Sequence, residues 1–228
     1  MEIMEIMKDA LVYPFNNIKA LVIYIILGMI LGVAVIGTVA GVATDNTLVS
    51  IGTGIIGILI AFVISGYELD IVKCGIIRTD SAPEIDIARQ FTNGVKILAV
   101  NLAYFANPII IGACLAVIFP HWISTVITAL LFLIFALPAI MGHCRLAKTE
   151  DLGNAIAFGE AIGDISRVGT EKLISFIIVT AIIVFILYFI VTLIIQWNQT
   201  ASGTLMGILG VYIAFFTGRA TGLLYSDV

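Results

Sequence analysis

The sequence predicts an all-α integral membrane protein whose six transmembrane helices are arranged as three repeated hairpins. Three observations carry that prediction. Hydrophobic residues make up 61% of the chain and charged residues 11%, with a mean hydropathy of +1.17. A soluble domain cannot bury so much apolar surface, so lipid must be the solvent for most of it. Six apolar runs reach the ~20 residues needed to cross a hydrocarbon core. Finally, Gly66, Gly142 and Gly218 lie 76 residues apart in succession, and Lys19, Lys96 and Lys172 open the runs on nearly the same beat.

In chain order the predicted spans are 19–43, 48–65, 94–119, 122–141, 173–197 and 204–224. All should be helices, because lipid offers an open backbone no hydrogen-bond partner and the runs lack the alternation of a barrel strand. They form a single membrane domain, 1–228, with repeat units of about 1–66, 67–142 and 143–228 and pseudo-three-fold character.

Each hairpin is preceded by a stretch with helical periodicity. Ile3, Met7 and Ala10 share one side of the first, which Pro14 should end. In the second, Ser81 and Glu84 have capping-box spacing around Pro83, and Ile85, Ala88 and Val95 face away from Asp86, Arg89 and Gln90. In the third, Ala155, Phe158, Ile162 and Ile165 oppose Asn154, Glu160 and Asp164. Asp86-Ile87-Ala88-Arg89 recurs as Asp164-Ile165-Ser166-Arg167. These amphipathic cytoplasmic helices should lie along the membrane face and tuck against the bundle; the alternative is a docking surface for a cytoplasmic partner.

All eleven basic residues fall on one side of these spans, while Asp45 is the only charge in the opposite connections. The positive-inside rule then puts both termini in the cytoplasm of a multi-pass cell-membrane protein. The N-terminal residues are acidic, and the apolar run after them is too long for a cleaved signal core. A net charge of −4 without a dense basic patch argues against a nucleic-acid partner. Cys74, Cys114 and Cys144 do not suggest a disulfide framework.

The motifs point to packing rather than chemistry. Gly52, Gly54 and Gly57 spell a dinucleotide fingerprint, but inside a span, without the strand, helix and downstream acid that binding requires. Gly28 with Gly32, Gly37 with Gly41, and Gly218 with Gly222 are small residues four apart, suited to tight packing of helices or, alternatively, to a homo-oligomer. Asn101, Tyr104 and Asn107, beside Pro108, form the most polar stretch of any span, and both amides are expected to point into the bundle. Pro108 and Pro138 are expected to kink their helices.

His121 and His143 lie at opposite ends, and His143 with Cys144 makes no zinc site, so no metal and no cofactor is expected. Asn198-Gln199-Thr200 matches a glycosylation acceptor. Glu68 with Asp70, and Glu150 with Asp151, read as solvated interfacial charge, with no acid or base deep in a span. No catalytic motif is present.

The segments Asp9 to Pro14, Gly66-Tyr67, Ala82 to Asp86, Phe91 to Lys96 with Tyr104 and Pro108, and Ala157 to Glu160 followed by Ile165-Ser166 occur in one order. Together they resemble an archaeal membrane-protein family, domain of unknown function 4013. One departure is Asp70, where the resemblance implies a basic residue. The resemblance implies a polytopic membrane protein, from a methanogenic archaeon, and supplies no activity.

The expected function is non-catalytic: membrane or lipid organisation, or docking of a cytoplasmic or membrane partner, with Arg78, Arg89, Arg145 and Arg167 as lipid-headgroup contacts. The alternative is a channel or facilitator for a small neutral solute or lipid, built on Asn101 and Asn107.

Overall fold

The computed structural model describes residues 1–197 and 202–228, so the acceptor motif at Asn198 lies outside the described residues. Among them every regular element is a helix: α1 (Ile3–Asn16), α2 (Ile18–Ala43), α3 (Thr47–Ile76), α4 (Ile87–Ile118), α5 (His121–Thr149), α6 (Leu152–Ala155), α7 (Phe158–Val168), α8 (Thr170–Trp197) and α9 (Ser202–Tyr225). Six of these, α2, α3, α4, α5, α8 and α9, are long and apolar enough to cross a membrane. The molecule is a multi-pass helical membrane protein.

Several helices run well past the predicted spans at the end that carries the basic residues. Helix α3 continues to Ile76, α4 begins at Ile87 and α5 reaches Thr149. Hydropathy falls where a span leaves the hydrocarbon, but backbone hydrogen bonding has no reason to stop there. Polar residues on these extensions therefore sit on rigid helix.

Glycine closes the seams. A Cβ at Gly28 would stand 2.5 Å from the carbonyl oxygen of Gly207, and one at Gly32 would collide with the Gly203 carbonyl, so α2 and α9 meet backbone to backbone. Gly37 faces Thr53 and Gly41 faces Ser50, which seals α2 to α3. Gly218 rests against Glu68, and Gly222 against Val72 and Gly75, which seals α9 to α3. Every glycine face expected to pack is thus occupied by another helix of the same chain. Gly66 meets the Gln90 carbonyl and Gly94 the Phe62 carbonyl, fixing α4 on α3. By contrast α8 packs on α9, α7 and α1; among the described residues it makes no extended contact with α4 or α5.

The expected capping box does not form. Residues 79–86 are not helical, and α4 starts from Asp86, whose side chain accepts the Arg89 N–H at 3.1 Å. Other partners hold this irregular stretch through its carbonyls. Thr79 receives Arg219 (2.5 Å), Asp80 receives Asn17 (3.0 Å), Pro83 receives Tyr67 (3.3 Å), and Glu84 receives Arg89 (2.8 Å) and Gln90 (3.2 Å). Long-range donors outweigh a local cap here.

Helix α7 buries a carboxylate and exposes large apolar side chains. Asp164 is fully buried, while Phe158 and Ile162 are exposed. On α1, Ile6, Met7 and Ala10 are buried against the bundle, and Met4 and Phe15 are exposed. Pro14 falls in the last turn of α1, which ends two residues later.

Candidate functional site: a polar cavity beside α8

A cavity of about 510 Å³ lies among α3, α4, α5, α8 and α9. Helical spacing brings its walls together. Ser65, Glu68, Leu69 and Val72 share one face of α3; Ile97 and Asn101 share one of α4; Ile140 and His143 one of α5; Thr217 and Thr221 one of α9. Helix α8 contributes Phe176, Ile177, Thr180, Ala181 and Val184. Polar groups from α3, α4, α5 and α9 therefore face a mostly apolar wall.

Two groups in this cavity stand out. Glu68 Oε1 has the Thr217 hydroxyl 2.9 Å away, but that hydroxyl is also 2.7 Å from the Ile213 carbonyl and has a single proton to give. No Lys, Arg or His among the described residues lies within ion-pair distance of Glu68. His143 Nε2 is buried and has no hydrogen-bond partner. Buried polar groups are almost always satisfied, so an unmet pair in one cavity calls for an explanation.

The other buried charges are satisfied. Asp70 is bound by Arg89 (3.1 Å) and Asn93 (3.1 Å). Asp164 receives Arg145 (3.0 Å), Arg167 (3.0 Å) and the Tyr225 hydroxyl (2.5 Å). Arg219, 2% exposed, is held by Asp9 (2.7 Å) and Asp80 (2.6 Å) and lies over the Tyr13 ring, 4.9 Å from its centre. Among these, Glu68 is the exception. It and Asp70 are not solvated interfacial charges, because both sit on the helical extension of α3 that hydropathy truncates. Glu150 and Asp151 are exposed, and Asp151 caps α6.

A second cavity, of about 610 Å³, lies between α2, α3 and α9 and includes Ile195 of α8; Ser65 and Glu68 line both cavities. A third space, about 560 Å³, opens at the basic end between Asp70, Lys73, Arg89, Asn93, Lys96 and Glu150. There cations and carboxylates are matched: Lys73 is paired with Glu150, and Lys96 donates to the Glu150 carbonyl at 3.0 Å.

The polar stretch of α4 is not one site. Asn101 lines the cavity, Tyr104 is buried with its hydroxyl on the Ala155 carbonyl (2.9 Å), and Asn107 is exposed. Asn107 does not point into the bundle, since six residues turn a helix through about 600° and place the two amides on different faces. The four arginines expected at headgroups all bond within the chain: Arg78 to Ser226 and Asp227, Arg89 to Asp70, Arg145 to Asp164 and Glu160, and Arg167 to Asp164. Thr217 and Thr221 escaped the sequence reading, which took Glu68 for interfacial charge and weighed His143 only as a metal ligand. The available signal was the 65/68/72 spacing on α3, continuing the face that carries Ser65.

Residues 53–196 match the model of a family described as "Protein of unknown function (DUF4013)". The chain belongs to this family. The match spans the cavity residues of α3, α4, α5 and α8 and stops short of Thr217 and Thr221. No curated protein and no solved structure matches the chain. For this family member the site must therefore be read from its own geometry. Asp70, where the resemblance implies a basic residue, is in this chain the acidic partner of Arg89 on α4.

Proposed function

We propose that this protein is a non-catalytic, lipid-binding membrane protein that holds an amphiphilic molecule in the cavity beside α8. The observation that carries the reading is the two-sided wall. Glu68, Asn101, His143, Thr217 and Thr221 offer hydrogen bonds on one side, and Phe176, Ile177 and Val184 offer an apolar surface on the other. Such a cavity suits a headgroup with a chain attached. The loose packing of α8 against α4 and α5 gives the ligand a lateral way in from lipid.

The three hairpins are read as repeats. Supporting this, α4 begins on α3, α7 packs on α5 and α1 packs on α9, so each leading segment sits on the hairpin before it in cyclic order. The leading segments are read as interfacial helices, which the exposed Phe158, Ile162, Met4 and Phe15 support. The one-sided basic residues support a cytoplasmic placement of both termini.

The test is native mass spectrometry of the protein taken from mild detergent. A bound amphiphile should accompany the wild type and be lost from Ile177→Trp, which fills the cavity from the loosely packed helix. An unliganded wild type, or unchanged occupancy in the variant, overturns the reading. A second reading, a facilitator for a small neutral solute or lipid, is favoured by the two cavities meeting at Ser65 and Glu68. Flux in proteoliposomes that is abolished by Ser65→Leu would support it.

A further inference from the structure

We infer that the ligand of the cavity is an amphiphilic amine and that Glu68 is its anchor; this rests on reading the cavity as an amphiphile site. The wall has a sign. Glu68 is its carboxylate, and neither this cavity nor the adjoining one has a Lys or Arg among its lining residues. Every Lys and Arg the sequence supplies stands elsewhere, and the arginines are spent on Asp9, Asp70, Asp80, Asp164 and Asp227. A phosphate or carboxylate headgroup would add a second negative charge to a low-dielectric space with no cation, which is unfavourable. An ammonium does the reverse.

The hydrogen-bond inventory agrees. An ammonium carries three donors and no acceptor. Acceptors are what the wall offers: the Glu68 carboxylate, whose one neighbouring donor is shared, and, in the tautomer protonated at Nδ1, the unpartnered Nε2 of His143. Asn101 adds an amide carbonyl on the same cavity. Ile177 and Val184 on α8 then face the alkyl part. The basic-end space differs, because there Asp70 is paired with Arg89 and Glu150 with Lys73, and Lys96 stands beside them.

The experiment compares three probes of equal chain length, dodecylamine, dodecanol and dodecyl phosphate. Binding to the whole protein in nanodiscs of neutral lipid is measured, with Ile177→Trp supplying the non-specific background. Dodecylamine should bind saturably and at least about tenfold more tightly than dodecanol, with dodecyl phosphate at background. Glu68→Gln should lose the amine preference while retaining dodecanol binding, which also reports that the variant is folded. Equal affinity for amine and alcohol, a preference for the phosphate, or an amine preference that survives in Glu68→Gln overturns the amine inference and leaves the amphiphile site standing. No saturable binding of any probe overturns both. Should Glu68→Gln fail to fold, the wild-type ranking of the three probes decides alone.

Discussion

Helices α9 and α8 form the last hairpin, yet they are built on opposite terms. Helix α9 is the least apolar of the six spans, with a mean hydropathy of 1.4, and 61% of its most apolar stretch is buried. Helix α8 is the most apolar, at 3.1, and none of its corresponding stretch is buried. The difference is glycine. Gly203, Gly207, Gly218 and Gly222 bring α9 backbone to backbone with α2 and α3, whereas α8 contains no glycine. In lipid, apolarity gives a helix no reason to leave its solvent; close approach and polar bonds do. The most hydrophobic helix is therefore the one left loose, and the cavity lies at its side.

The largest effect should come from breaking the tight side at its charge. Arg219 is buried with two carboxylates and a backbone carbonyl around it. Arg219→Ala should lower stability in detergent unfolding by roughly 2–3 kcal/mol. It removes a fully buried side chain and the hydrogen bonds given to Asp9, Asp80 and the Thr79 carbonyl, although Asp9 and Asp80 themselves reach solvent. Arg167→Ala, whose side chain is 69% exposed, is the matched control and should cost little. Comparable losses would show that burial does not distinguish the two arginines.

Next comes the glycine seam itself. Gly207→Val pushes a side chain into the Gly28 carbonyl and should cost about 1–3 kcal/mol or more. Ile186→Ala on the exposed face of α8 should stay within about 0.5 kcal/mol. If the α8 change cost as much as the α9 change, the contrast between the two helices would collapse.

How much of this could be read beforehand follows the same division. The spans were legible because hydropathy and length are local properties; the first predicted span, 19–43, differs from α2 by one residue at its start. Gly28 and Gly32 were legible as packing residues, but their partners Gly203 and Gly207 were not, since spacing along one helix does not say which other helix it meets. Glu68 was misread because hydropathy ends the second span at 65, while α3 continues to Ile76 and carries the acid into the bundle. Asn107 was misplaced by counting polarity without the helical angle. The stretch 79–86 was misread because its bonds come from Arg219, Asn17 and Tyr67, far away in sequence.

A smaller effect, of opposite sign, should appear at the cavity. Glu68 is a carboxylate held without a cation, so its neutral isostere removes a desolvation cost. Glu68→Gln should raise stability by about 1 kcal/mol while weakening amine binding, the usual exchange of function for stability at a binding site. A destabilised variant would mean that Glu68 serves the fold through Thr217.

The smallest effect belongs to the exposed ion pair at the basic end, and it carries a defined pH dependence. The hydrogen bond and charge of Lys73 hold the Glu150 carboxyl below its ordinary value of 4.5. A carboxyl depressed in the folded state stabilises that state above its unfolded value, and the gain is lost as pH falls through the folded value. The wild type should therefore lose a little more stability than Glu150→Gln when acidified from about pH 6 to about pH 4. Because Lys73 and Glu150 are 48% and 67% exposed, salt should erase most of that difference. A melting-temperature series in pH and salt reads both. An acid-sensitive step of the same size in Glu150→Gln would show that the Lys73–Glu150 pair does not carry the pH dependence.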